Sequence, residues 1–247
     1  MTFRGIFHFH SCYSFDCLTS ITSIADVIEK NNLDFAVLTD HDRIEGCFAL
    51  RDELKKRNLK VEVPVAAEYR TDIGDIIVVG VEKYLNVHSA QELLKEAKEL
   101  GGVTILPHPY DGHNLSAEVI RKIDLIEAFN GRSTALNDKK SRSLAQKYGK
   151  KLIFSSDAHI KRNLDNVIIK YSAQHTFVDN CLRGVFELDK CQKSDASDLL
   201  YSQLVKSIKQ RNPKIAISII VGSLLRFLRD KCPKLYRVAQ NTRNLLR

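Results

Sequence analysis

A chain of 247 residues, 44% of them hydrophobic, is long enough to bury a full core, and it fits one α/β domain with an appendage better than two equal domains. Its six cysteines (Cys12, Cys17, Cys47, Cys181, Cys191 and Cys232) include no C-x-x-C pair, which argues against a zinc knuckle or a disulfide scaffold and for reduced thiols. The net charge of +8 belongs to the end of the chain: residues 195–247 carry eleven basic and three acidic side chains, whereas residues 1–194 hold 27 of each, so the basic character says nothing about the body.

The start, MTFRGIFHFH, has no apolar run of signal-peptide length behind a basic segment, and a cytoplasmic protein is expected. Short apolar, β-branched runs then recur at 5–9, 35–38, 61–65, 76–81, 103–106, 125–129, 152–155 and 167–169, each reading as a strand. Helical spacing fills the gaps at 21–32, 44–57, 90–100, 115–122 and 136–148, with Thr19, Ser20 and Ser89 as candidate caps and Gly101 and Gly149 as stops. About seven such β/α units predict a closed or nearly closed, distorted β/α barrel over a catalytic domain of residues 1–194; an open doubly wound sheet is the alternative. Residues 195–247 read as a basic helical appendage, with apolar residues at helical spacing in 199–209 and 215–228.

The apolar run 215–225 is 11 residues long, short of the roughly 20 needed to span a bilayer. Lys209, Arg211 and Lys214 precede it, and Arg226, Arg229 and Lys231 follow it. That pattern suits an anionic membrane surface or a nucleic-acid backbone; a helix pair docked on the body or on a second subunit is the plain structural alternative. If the appendage targets the protein or gathers substrate, its deletion is expected to spare turnover, because every candidate ligand precedes residue 160; if it packs on the body, deletion is expected to destabilise the fold.

Nearly every strand is followed by a polar residue suited to a metal or a phosphate: His8 and His10, Asp40 and His41, Glu68, His108, Asn130, then Asp157 and His159. In a β/α barrel such residues converge at the C-terminal mouth. His8-Phe9-His10 places two imidazoles at i and i+2, on the same side of a strand, and Asp157-Ala158-His159 repeats the spacing. Mixed imidazole and carboxylate donors suit Zn²⁺, Mn²⁺ or Fe²⁺, and the near absence of cysteine from these motifs argues against a thiolate site.

The motifs F-H-F-H-S-C-Y-S-F-D, L-T-D-H-D, A-A-E-Y, L-P-H-P and S-S-D-A-H follow one another in the order and spacing of the polymerase and histidinol phosphatase (PHP) family, which the chain resembles over residues 8–159. The resemblance implies a distorted barrel holding two or three divalent ions (Mn, Zn or Fe, with Mg as a further candidate) and hydrolysis of a phosphate ester. Carried over residue by residue, it makes His8, His10, Asp16, His41, Glu68, His108, Asp157 and His159 the metal ligands; Asp16 comes from the resemblance alone. Gly74-Asp75 stands where relatives often have Gly-His, so Asp75 is a substitute ligand or a turn residue. Some relatives have a further histidine after a strand end like Glu127-Ala128-Phe129-Asn130, and none follows here; Glu127 and Asn130 are candidates for ligation or for orienting the ligands.

Arg43 and Arg132 are candidate clamps for phosphoryl oxygens, since a guanidinium matches their geometry, and Tyr110 is a candidate for the pocket mouth. His159 and Asp42 are candidates for protonating the leaving oxygen. The expected substrate is a small phosphorylated metabolite or nucleotide. The alternatives are a nuclease acting on nucleic-acid ends, which the neutral body disfavours, and a non-catalytic metal-binding regulatory module. His88, His113 and His175 read as surface or packed histidines.

Overall fold

The structure, a computed structural model, describes residues 2–172, 176–214, 217 and 222. In chain order the elements are β1 (Thr2–Phe9), α1 (Ile21–Lys30), β2 (Phe35–Leu38), α2 (Glu45–Lys56), β3 (Ala66–Thr71), β4 (Gly74–Val79), α3 (Ala90–Glu99), β5 (Val103–Leu106), α4 (Ala117–Lys122), β6 (Leu125–Asn130), α5 (Ala135–Tyr148), β7 (Lys151–Ser155), β8 (Val167–Ser172), α6 (Phe177–Arg183), β9 (Glu187–Cys191) and α7 (Ala196–Lys209). His175, Cys232 and nearly all of the expected helix over 215–228 lie outside the described residues. Among the described residues no helix is long and apolar enough to cross a membrane, and the five cysteines are unbridged.

The strands form a mixed α/β arrangement of two sheets, ordered β2-β1-β8-β9 and β3-β4-β5-β6-β7. Among the described residues no continuous sheet closes into a barrel, which corrects the expectation of a closed one built from parallel units. The pairs β1–β8, β8–β9, β3–β4 and β4–β5 are antiparallel, which interrupts the β/α repeat. The sheets meet at isolated parallel bridges, Phe9 with Ala158 and His41 with Glu68. Those bridges are short hydrogen-bonded seams: His10 N donates to Ala158 O at 2.9 Å, and Asp42 N donates to Glu68 O at 3.0 Å.

Local chemistry explains most of the boundaries. Ser20, Ser89, Ser116 and Thr134 each accept a hydrogen bond from the backbone of the following turn, supplying one of the orphan donors at each helix start. Gly149 ends α5 in the left-handed region at φ 62°, as a helix stop requires. The strand expected at 61–65 is displaced to Ala66–Thr71 because Pro64 offers no backbone donor; the earlier stretch keeps only the bridge from Phe35 to Glu62. β9, absent from the expected strands, is a polar edge strand without a fully buried residue, and its sequence carries no apolar run.

Buried side chains from both sheets and from α1, α2, α3 and α6 form the core. Close packing there leaves no room at Gly5, where an added Cβ would run into the carbonyl oxygen and ring of Phe35 on the neighbouring strand. Gly5→Ala is therefore expected to destabilise the fold by about 1–3 kcal/mol, read as a lower denaturation midpoint. An unchanged midpoint would show that β1 and β2 can separate freely.

Candidate metal centre

Each strand that ends at the seam delivers a side chain to one pocket. β1 brings His8 and, just after it, His10; both are fully buried. The β1–β2 register shifts between Phe7 and Phe9, and His8 has φ 56°, so the imidazole is aimed by a bulge of the kind found beside active sites. His108 (φ 27°) and Asp157 (φ 49°) are also held in the left-handed region. Asp157 and His159 lie beyond the end of β7 rather than on it, yet both reach the cluster, His159 Nδ1 lying 3.3 Å from Asp157 Oδ1.

Glu68 on β3 occupies the middle. Its carboxylate lies 3.3 Å from His8 Nε2, 3.3 Å from His10 Nε2, 3.4 Å from His41 Nδ1 and 3.0 Å from His108 Nε2. Asp16, from the loop after β1, sits 3.4 Å from His41 Nε2 and 3.1 Å from His159 Nε2. Asp75 shares a face of the β3–β4 hairpin with Glu68, since Glu68 pairs with Ile77 and Asp75 lies two residues before it. Donor atoms lie within 4.8 Å of one another in four groups: His10, Asp16, His41 and His159; His8, His108 and Asp157; His8, His10 and Glu68; and His41, Glu68 and Asp75. All eight ligands implied by the resemblance fall in these groups, and Asp75 joins them.

A further layer holds these donors in place. Glu127 is paired with His8 Nδ1 at 2.9 Å and accepts from the His108 backbone at 2.7 Å and from Asn130 Nδ2 at 2.8 Å. Asn130 Nδ2 also donates to Asp157 Oδ2 at 3.1 Å. Glu127 and Asn130 therefore brace the candidate ligands His8, His108 and Asp157 through hydrogen bonds, as outer groups do in metal sites. Asp40 accepts from Ser11 N and Ser11 Oγ, both at 2.6 Å, and anchors the loop leading to Asp16.

The electrostatics are those of a site built around cations. Burial alone would lower the pKa of His8, yet Glu68, Glu127 and Asp157 carry it well above the ordinary imidazole value. His10 and His108 are likewise pushed up to about 9 against burial, His10 by Asp157 and Glu68 and His108 chiefly by Glu68. Burial opposes ionisation of Glu68, Asp157 and Asp16, but the surrounding imidazoles, with Arg132 at Asp157, hold all three well below the usual carboxylate range. His159 goes the other way, to about 4, through burial, Arg132 and His10. Protons on the imidazoles thus balance the carboxylates. Among the buried nitrogens without a hydrogen-bond partner are those of His10, Nδ1 of His41 and Nδ1 of His108, and unpartnered imidazoles beside carboxylates suit divalent ions, so the residues fit a metal cluster.

That balance has a measurable consequence. A cation must displace protons that His10 and His108 hold up to about pH 9, so metal uptake at neutral pH is expected to release protons and to tighten as the pH rises toward that value. Calorimetric titration with Mn²⁺ in buffers of different ionisation enthalpy measures the release; pH-independent affinity without proton release would contradict it.

Six of the candidate ligands, Asp16, His41, Glu68, His108, Asp157 and His159, line a cavity of about 410 Å³ also lined by Asp75, Asp111, Asn130, Arg132, Ser133 and, from α7, Leu199, Gln203 and Lys206. Arg132 reaches the cluster, with Nη1 donating to His159 Nδ1 and lying 3.8 Å from Asp157 Oδ1. Asp42 and Arg43 do not line the cavity. Arg70 N and Nε donate to the Asp42 carboxylate, at 3.0 and 2.5 Å. Tyr110 is also outside the lining, exposed under the Lys140 ammonium. The α7 residues were not singled out by sequence reasoning, and helical periodicity over 199–209 was their only signal.

No family model matches the sequence. Among solved structures, the chain superposes on a two-domain Bacteroides vulgatus protein described as containing a predicted PHP-like metal-dependent phosphoesterase, with TM-score 0.64 and 17% identity over 77% of this chain and 65% of that one. The chain has a PHP-like fold. The same fold is shared with PsfC from Pseudomonas syringae (TM-score 0.62, 14% identity, 83% of this chain and 98% of that one). An amidohydrolase from Chromobacterium violaceum, solved with sulfate and no metal, matches with TM-score 0.51 and 14% identity, over 63% of this chain and 87% of that one. Two relatives from Methanocaldococcus jannaschii, both named as uncharacterized proteins, are 28% identical over 109 residues and 26% identical over 136 residues. These matches take in 44% and 50% of this chain and 63% and 57% of the relatives, so the chain spans less than two thirds of the relatives' length. In this PHP-like fold the cluster lies along the seam between the two sheets, where β1, β2, β3 and the segment after β7 meet.

Proposed function

We propose that the chain is a metal-dependent phosphoesterase that hydrolyses a small phosphorylated metabolite or nucleotide. The observation that carries the reading is the cavity itself: seven imidazole and carboxylate donors (Asp16, His41, Glu68, Asp75, His108, Asp157 and His159) line it together with Arg132, with His8 and His10 buried in the same donor groups. Its volume, about 410 Å³, suits a small-molecule ligand. The bridges at Phe9–Ala158 and His41–Glu68 support reading the two sheets as one distorted barrel whose mouth holds the site.

His8, His10, Asp16, His41, Glu68, His108, Asp157 and His159 would hold two or three divalent ions, with Asp75 completing the donors near His41 and Glu68. Imidazole–carboxylate donors favour Mn²⁺, Zn²⁺ or Fe²⁺ over softer ions. Bound ions supply water activation, with a pKa brought to about 7, and neutralise charge developing on the phosphoryl group. Arg132, held against Asp157 and His159, orients and screens phosphoryl oxygens at the same place. His159 is neutral near pH 7, which suits ligation and argues against its service as the proton donor.

The test is a panel of phosphomonoesters, cyclic nucleotides and short oligonucleotides, assayed with Mn²⁺, Zn²⁺ or Mg²⁺ after chelator treatment. Chelation is expected to abolish turnover of a phosphomonoester and metal to restore it. Preference for oligonucleotide ends would replace the small-molecule reading by a nuclease, and metal binding without turnover of any of them would reduce the protein to a metal-binding module.

A further inference from the structure

The body-facing side of α7 carries more than packing residues. Leu199, Gln203 and Lys206, spaced at i, i+4 and i+7 along the helix, line the same cavity as six of the candidate ligands. Tyr201, Leu204 and Ile208 are exposed and define the outward side. The helix is fixed at both ends. Arg162 pairs with Asp198, and Arg132 Nη2 donates to Ser202 Oγ at 3.4 Å. At the other end Lys209 Nζ donates to the carbonyl oxygens of Cys12, Ser14 and Cys17, at 2.6, 2.5 and 2.9 Å, which ties α7 to the loop that bears Asp16.

The neighbouring cations are committed to partners: Arg70 to Asp42, Arg132 to Asp157 and His159, Lys193 to Asp138. Lys206 has no carboxylate partner among the described residues. Lys206 is partly buried; its ammonium lies 5.1 Å from the centroid of the Phe15 ring, and that ring stacks on His41 with centroids 4.8 Å apart. A cation on the wall of an anion-rich cavity, on a helix tied to the body at several points, is placed to meet a charge that arrives with the ligand.

We propose that Lys206 and Gln203 form the substrate-selecting wall of the cavity, the Lys206 ammonium pairing with an anionic oxygen of the bound phosphoester and the Gln203 amide hydrogen-bonding beside it. This rests on the phosphoesterase reading. It makes α7 part of the binding site, and it sets a requirement for anionic ligands that Arg132, already paired, does not impose alone.

The test uses the full-length, Mn²⁺-loaded protein with inorganic phosphate as the probe, measured by calorimetry beside kcat and KM for a phosphomonoester. Lys206→Met keeps the apolar stem over Phe15 and removes the charge. It is expected to weaken phosphate binding and raise KM by about tenfold or more, with a much smaller change in kcat, and Lys206→Arg is expected to recover most of the loss. Metal content and melting temperature are expected to match those of the wild type. Equal phosphate affinity in wild type and Lys206→Met would overturn this inference and leave the phosphoesterase reading standing. Loss of metal or of folding in Lys206→Met, unrelieved in Lys206→Arg, would assign Lys206 a structural role and overturn it as well. A wild type that neither binds phosphate nor turns over a phosphomonoester would overturn both readings.

Discussion

Glu68→Gln is expected to lower turnover of a phosphomonoester by about a thousandfold or more, roughly 4 kcal/mol of barrier. The substitution keeps the volume of the side chain and removes one negative charge from the point where four imidazoles meet, His8, His10, His41 and His108, all within 3.4 Å. Glu68 belongs to two of the four donor groups and its carboxylate would help to hold the ions, for which an amide is a far weaker ligand. Because Glu68 also lies on β3 in register with Ile77, circular dichroism must show the fold intact. With that control met, activity within about tenfold of wild type, equivalent to about 1.4 kcal/mol, would remove Glu68 from the centre of the site.

The candidate ligands were legible in the sequence because they sit at the ends of short apolar runs, where a strand hands the chain to a loop. His8, His10, His41, Glu68, His108, Asp157 and His159 could be read that way. Asp16 could not: it lies in a loop without periodicity, and only the resemblance pointed to it. The fold was less legible. Parallel β/α units were expected throughout, but periodicity within a run says nothing about the direction of its neighbour, and the β3–β4 hairpin turns on Thr71 and Gly74. Pro64 displaced one strand in a way its missing donor explains. β9 could not be read because an edge strand exposed along most of its length needs no apolar run.

The appendage shows where charge counting stops being informative. The neutral body and the +8 end suggest two separable parts, with every ligand in the first. Yet α7 lies over the cavity, and its Lys209 holds three carbonyl groups of the Asp16 loop. Net charge is a sum over a segment, whereas the role of Lys206 or Lys209 depends on the few ångströms around one ammonium group.

The most direct test of the central claim is metal content by elemental analysis, on wild type and on the double variant His10→Ala with Asp157→Ala. His10 is fully buried with no hydrogen-bond partner on its ring, and Asp157 lies 3.6 Å from His10 Nε2 and 3.7 Å from His8 Nε2, so removing both strips donors from three of the four groups. The account predicts at least two transition-metal ions per wild-type chain, as an order of magnitude for a cluster of this donor number, and their loss, together with all phosphoesterase activity, in the folded double variant. A metal-free wild type that turns over a phosphoester would contradict it.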